Sequence, residues 1–477
     1  MTTKAQLPPG AAAVVLAIFI TTLMMALSNN MLNVAVPVVA AHFQATPAQA
    51  SAMVVAYSLV NVALLIPTGQ LADALDRRLV FLGGLAFFIL TSLLMGFSPN
   101  ATVLAIGRGL QGAAAALLLS NAVALMAVVV PARRMAWAMG IYLAGFSTGQ
   151  VGGPILGGVV ASTVGWQWLF WGNVPLGLVA LVLGARALRG VPGGRRGTPR
   201  VDVPGGILLG LFLGGTQLLL SLSAGLGLGD PRILGGFAAC LLLLPLLAMV
   251  ERRLHNPVLA PELFRNRALP IGLAQGFLLL LPRLGALTIA SLYFQGIGGD
   301  STATAALKAA PLAAGLTLGS LLADRVSAPL GPRRTMTTGA GMSAAAMTVL
   351  WLNVFWDADV VTLTALLVLG FGSGVFQTLN FAMITVSAPE GKTALVNAIR
   401  VMVSTFSTGI GLALSLALVV ARAPEAVARA FLSGDAARVA ADRHVIEQGY
   451  LLAYGSLTVL MWLGAALTLI KPRPDRS

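Results

Sequence analysis

The sequence predicts an all-α polytopic membrane protein, and three observations carry that expectation. Of 477 residues, 57% are apolar and only 10% charged, against about half and about a quarter in a soluble domain. The 54 glycines and 25 prolines form no low-complexity tract. They are dispersed through apolar runs of roughly 18 to 25 residues, the length that crosses a hydrocarbon core of about 30 Å. The runs do not alternate in polarity, which excludes a closed β-barrel and leaves helices to satisfy the backbone in lipid.

Cutting at charges and turn residues divides the chain into fourteen spans. The first, 11–37, is too long for the core of a signal peptide and is read as a retained helix closing at Pro37. Next come 50–71, stopped by the charged stretch to Arg78, and 79–97, stopped by Ser98-Pro99-Asn100. Span 101–129 ends before Pro131 and the pair Arg133 and Arg134; 136–160 ends before Gly165; 167–187 ends where Arg186 opens a basic linker. Asp230 and Pro231 separate 203–225 from 232–250, and 269–294 stops at Gly298-Gly299-Asp300. Span 305–324 ends on Asp324 and Arg325, 335–355 follows Gly331-Pro332, 360–384 follows Asp359, 394–420 follows Lys392, and 449–470 closes before Lys471.

Positive charge tests the division, since cytoplasmic connections are enriched in Lys and Arg. Under alternating crossings, 22 of the 30 cations fall on one side and six on the other, with Arg108 and Arg283 inside spans. The richer side takes Arg400 with the connection before the thirteenth span, and both termini are expected in the cytoplasm. Three connections are long. Segment 186–202 is a basic Gly/Pro linker, 251–268 reads as an amphipathic helix along the membrane, and 421–448 is an external loop. The lone Cys240 leaves no intrachain disulfide, and His42, His255 and His444 sit in connections with no metal-ligand spacing. No metal and no cofactor is expected. No phosphate-cradling Gly-rich loop and no Ser/His or paired-Asp cluster within a span is visible, so neither ATP-driven transport nor an enzyme is expected. In this setting the net charge of +14 points to lipid head groups and topology rather than nucleic acid.

Several motifs carry chemistry. In GQLADALDRR, Gly69 permits close helix approach, Asp73 can hold a neighbouring helix end, and Arg77 and Arg78 can pair with carboxylates. A degenerate copy, GSLLADRVSAPLGPRR, holds Gly319, Asp324, Arg325, Gly331, Arg333 and Arg334. Within the fourth span Arg108 and Gln111 are three apart and share a face. A guanidinium there costs several kcal/mol unless it meets a cavity or partner, or snorkels to an interface. The fifth span carries GQVGGPILGG, with Gly149, Gly153, Pro154, Gly157 and Gly158, where small residues every four positions allow backbone contact and the proline bends the span. Candidate cavity residues are Asn29, Asn33, Tyr57, Asn61, Gln111, Gln150, Gln295, Gln377 and Asn380, each of which can instead bridge helices.

These elements resemble the major facilitator superfamily, whose signature Gly-x-Leu-Ala-Asp-x-x-Gly-Arg-Arg is matched at 69–78 except that Asp76 stands at the second glycine. Arg108, Gln111 and Gly112 match its Arg-x-x-Gln-Gly element, and 149–158 matches the Gly-x-x-x-Gly-Pro-x-x-Gly-Gly element of its exporters. The stretches LSNNMLNVAVP (27–37) and WQWLFWGNVPLG (166–177) are similar to segments of the fourteen-span drug:proton antiporters, with Ser28 at an acidic position and Gln167 at an arginine. The resemblance implies two six-helix bundles plus two inserted helices. The N-terminal bundle is 1–187, the linker and inserted helices 188–268, and the C-terminal bundle 269–477.

It further implies secondary active export of amphiphilic small molecules by alternating access, of the proton-coupled multidrug type, by a monomer in the cytoplasmic membrane. The partners are a small-molecule solute, the bilayer and, as coupling ion, the proton. None of the sixteen acids falls in the middle of a predicted span, whereas a cation exporter needs an embedded carboxylate. The second reading is therefore an exporter of an anionic or lipid-like solute using Arg108 and Arg283, with atypical or no proton coupling. A third is a non-transporting scaffold or sensor.

Overall fold

A computed structural model describes residues 10–190, 203–226, 229–251, 267–296, 300, 302–356, 358–389, 392–420 and 443–470. The amphipathic helix expected in 251–268 and most of the linker 186–202 and loop 421–448 lie outside the described residues.

Among those residues the chain is helical throughout, with no strand. Fourteen helices have fifteen residues or more. They are α1 (Ala11–Phe43), α2 (Pro47–Ala74), α3 (Arg77–Met95), α4 (Ala101–Val129), α5 (Met135–Thr163), α6 (Asn173–Ala187), α7 (Val203–Leu226) and α8 (Pro231–Glu251). There follow α9 (Ala268–Gly296), α10 (Thr302–Leu330), α11 (Pro332–Asn353), α12 (Asp359–Val386), α13 (Thr393–Val420) and α14 (Arg443–Leu467). Ten stretches among them are long and apolar enough to cross a membrane.

The ends follow from local chemistry. Thr46 and Gln49 form a reciprocal capping box at the start of α2, and the Asn100 side chain accepts from the Val103 amide at the start of α4. Asp76 caps α3 by accepting from the Arg78 amide at 2.9 Å, so the acid at the signature's second glycine has a structural role.

Two expected boundaries and one charge assignment are corrected. Helix α1 continues past Pro37 to Phe43, because a proline inside a membrane helix removes one hydrogen bond without ending the ladder; left-handed Gln44 (φ 48°) closes it by donating to the Ala40 and Ala41 carbonyls. Helix α10 runs to Leu330 and takes in Asp324 and Arg325, since the break is made by Gly331 (φ 79°) rather than by charge. Arg400 lies inside α13 and is 3% exposed, so it does not belong to the connection cations.

The chain divides into two compact units. The first comprises 1–218, 236–269 and 382–402; the second comprises 219–235, 270–381 and 403–477. In the first unit α1 with α5 and α2 with α4 form the most extensive helix pairs. The α1–α5 contact is backbone against backbone. A Cβ on Gly149 would lie 2.6 Å from the Ala26 Cβ, on Gly153 2.5 Å from the Asn30 Cβ, and on Gly157 2.5 Å from the Met31 carbonyl oxygen. Gly145 extends the stripe one step further, against Phe19 and Thr22. Gly158 is not part of it, as its nearest neighbour would be the Val34 Cγ1 at 3.9 Å. A second four-residue stripe, Gly206, Gly210 and Gly214, seats α7 on α2 at Pro67, Ala63 and Leu59. Cys240 is buried as a free thiol.

In the second unit α10 and α12 meet through glycines on both helices. Side chains at Gly315 and Gly319 would run into the Leu367 and Phe371 carbonyls, and at Gly370 and Gly374 into those of Leu312 and Leu316. Lys308 bridges Asp300 (2.6 Å) and Asp359 (2.7 Å), tying the start of α10 to the start of α12.

Candidate functional site

In the first unit the side chains converge on Arg108, which is fully buried in α4. Its Nη1 donates to the Gln111 Oε1 (2.6 Å), its Nη2 to the Asn29 Oδ1 (3.1 Å) and its Nε to the Met53 carbonyl (3.3 Å). The guanidinium carbon also lies 4.5 Å from the centre of the Tyr57 ring. Gln111 donates to Ser92 (2.8 Å) and Ser28 (3.3 Å), and Asn173 donates to Ser28 (3.1 Å). The Ser28 hydroxyl thus receives two amide donors at the position where the antiporters have an acid. Three charge-assisted hydrogen bonds of about 1.5–3 kcal/mol each and a cation–π contact of about 2 kcal/mol are of the same order as the several kcal/mol of desolvating one ion. Arg108 is therefore held by neutral partners, and every guanidinium nitrogen has one.

Arg283 in α9 is 6% exposed and differs. Its Nη1 donates to the Gln377 Oε1 at 2.9 Å, while its Nε–H has no acceptor. It lines an open cleft together with Ser343, Ser373, Ser404 and Phe376. Among the described residues no carboxylate pairs with Arg108 or Arg283.

Asp73 plays a different role. It accepts from the Ala394 and Leu395 amides, at 3.1 and 2.9 Å, and from the Arg77 Nη2 at 2.8 Å. The carboxylate so caps the start of α13, taking two amides that a helix leaves unpaired at its first turn. A Cβ on Gly69 would lie 3.0 Å from the Ala398 Cβ, and Asn121 donates to the Arg77 carbonyl. In the degenerate copy Arg333 donates to the Leu469 carbonyl at 3.0 Å.

The other polar candidates separate. Asn29 and Tyr57 join Arg108, and Gln377 joins Arg283. Asn61 bridges α2 to the Gly112 carbonyl of α4 (3.3 Å), and Asn380 bridges α12 to Gly272 and Gln275 of α9 (3.2 and 3.3 Å). Gln150 is half-buried in α5 and belongs to neither cluster. The side chains of Asn33 and Gln295 lie outside the described residues.

Four participants are not singled out as site candidates by the sequence: Ser92, Asn173, Arg400 and Asn397. Arg400 donates from Nε and Nη2 to the Asn397 Oδ1 (3.0 and 2.5 Å), Asn397 donates to the Leu119 and Ser120 carbonyls, and the guanidinium carbon lies 6.0 Å from the Tyr142 ring centre. The sequence signal for this cluster is the pair Asn397 and Arg400, three apart on one helix face.

The family model of the Major Facilitator Superfamily matches residues 18–412. The chain belongs to that superfamily. It is 28% identical over 67% of its length to the multidrug transporter protein MdtP of Bacillus subtilis, spanning 59% of that protein. It is 29% identical over 72% of its length to the tetracenomycin C resistance and export protein of Streptomyces glaucescens, spanning 63% of it. With the puromycin resistance protein pur8 of Streptomyces alboniger it shares 33% identity over 74% of the chain and 70% of that protein. The crystal structure of the human organic anion transporter MFSD10 aligns over 97% of this chain and all of that one, with a TM-score of 0.64 at 15% identity, a likeness of fold. The molecule is a multi-pass membrane protein with the all-helical superfamily fold.

Proposed function

We propose that the chain is a secondary active exporter of amphiphilic small molecules of the fourteen-span multidrug type, working by alternating access in the cytoplasmic membrane with both termini inside. The observation that carries the reading is the α5 glycine stripe locked on α1 beside the Ser28–Gln111–Arg108 cluster. It gives the exporter motif a physical purpose, which is to hold the helix bearing Ser28 and Asn29 against α5. The names of the multidrug, tetracenomycin and puromycin relatives support efflux as the direction. No chemistry on a solute belongs to this reading.

Coupling to the proton gradient does not run through position 28, where serine supplies no titratable group in the physiological range. The test is flux in inverted membrane vesicles under imposed pH gradients, with cationic, neutral and anionic aromatic solutes. Accumulation against a concentration difference is expected. A flux that ignores every imposed gradient and only equilibrates would replace the exporter by a facilitator.

A further inference from the structure

We propose that the Arg283 cleft binds the anionic group of an organic monoanion with an apolar body, the Nε–H of Arg283 serving as its charged donor. The proposal deepens the exporter reading by naming a solute class, and it rests on that reading for its transport meaning alone.

Two of the buried arginines, Arg108 and Arg283, have opposite states. Each nitrogen of Arg108 has a protein acceptor. Arg283 is 6% exposed, its Nε–H has no acceptor, and the residue lines a cleft. A buried charged donor left unmade costs more than a neutral one, so an oxygen arriving there recovers that cost in addition to the new bond. Nε and an Nη of one guanidinium form a planar fork that suits the two oxygens of a carboxylate or of a phosphate or sulfonate group.

The surroundings fit the rest of such a molecule. Ser343 and Ser373, whose hydroxyls hydrogen-bond each other at 3.1 Å, line the cleft together with Ser404. Phe376, Leu279 and Leu280 supply an apolar face for a ring or short alkyl body. A cationic head group would meet a buried positive charge that has no carboxylate partner among the described residues, and would be excluded.

Binding of 2-naphthoate, 2-naphthylmethanol and trimethyl-(2-naphthyl)ammonium to the full chain in neutral detergent, followed by calorimetry, tests this. The wild type should prefer naphthoate to the alcohol by about tenfold, the size of a charge-assisted contact, with the cation weakest. Arg283→Gln should erase that ratio, and Arg283→Lys should recover a fraction of it. Equal affinity of the wild type for naphthoate and alcohol overturns the proposal, and that reading needs no variant to fold. A ratio that survives Arg283→Gln overturns it too. Displacement of naphthoate by phosphatidylglycerol, but not by phosphatidylcholine, at equal mole fraction would assign the site to lipid and remove the solute claim. Anion preference without flux in vesicles would keep the site and remove the exporter, whereas flux without anion preference would do the reverse.

Discussion

Gly157 and Gly158 are neighbours on α5 that differ in what a methyl group would meet. At Gly157 a Cβ would lie 2.5 Å from the Met31 carbonyl oxygen and 2.7 Å from the Met31 Cα, both backbone atoms of α1. At Gly158 the nearest heavy atom would be 3.9 Å away, the end of a valine side chain. Comfortable carbon contacts begin at about 3.5 Å, so Gly157→Ala has to push the α1 and α5 backbones apart by about 1 Å, and overpacking of that kind costs about 1–3 kcal/mol. Both substitutions gain the same helix propensity, about 1 kcal/mol, which cancels between them. The expected outcome is that Gly157→Ala is less stable than Gly158→Ala by about 1–3 kcal/mol. Thermal unfolding of the purified variants in one detergent reads this as a separation of a few degrees. Coincident curves would refute the claim that the stripe is a backbone contact, and with it the argument for α5 as the partner that positions α1.

Asp73→Ala should expose the Ala394 and Leu395 amides at a cost of about 1–2 kcal/mol. Hydrogen exchange at the start of α13 should then rise about tenfold, and unchanged protection would mean the cap contributes nothing. Ser28→Asp places a carboxylate where Gln111 and Asn173 already donate, and the added titratable group should shift the pH dependence of transport and admit cationic solutes; a variant with the wild-type pH profile would sink the view that an acid at position 28 can couple. Arg195→Cys and Asp435→Cys should label from opposite faces of the membrane with an impermeant reagent, whereas same-side labelling would remove the proposed orientation.

Much of the helical order is legible in the sequence because hydrophobic length and turn residues act locally: Asn100 and Gly331 mark ends that the structure also shows. The boundaries that fail do so because a proline in a membrane helix removes one hydrogen bond without ending the ladder, and because a charge marks where a span leaves the bilayer and not where its helix ends; hence α1 passes Pro37 and α10 passes Asp324. Within the clusters, Arg108 with Gln111 is readable from spacing alone. Asn173 is not, because its partner Ser28 is 145 residues away and no local pattern announces such a meeting. Arg400 is misassigned for a related reason. Its burial depends on Asn397 and on Tyr142 of another helix, whereas a basic residue soon after Lys392 reads as one more connection charge. Gly145 differs from both, since it continues a four-residue spacing that 149, 153 and 157 already display.

The α1–α5 stripe has a mechanical consequence. Where two helices touch through side chains, rotamer changes can absorb a small displacement, and the contact behaves as a soft joint. Between Ala26 and Met31 on one side and Gly149 and Gly157 on the other there is no rotamer to turn, because the glycines have none and the facing atoms are largely main chain. The pair therefore transmits a push at one end to the other with little give from side chains, like a laminated beam whose one weakened layer is at Pro154, where α5 lacks a main-chain hydrogen bond.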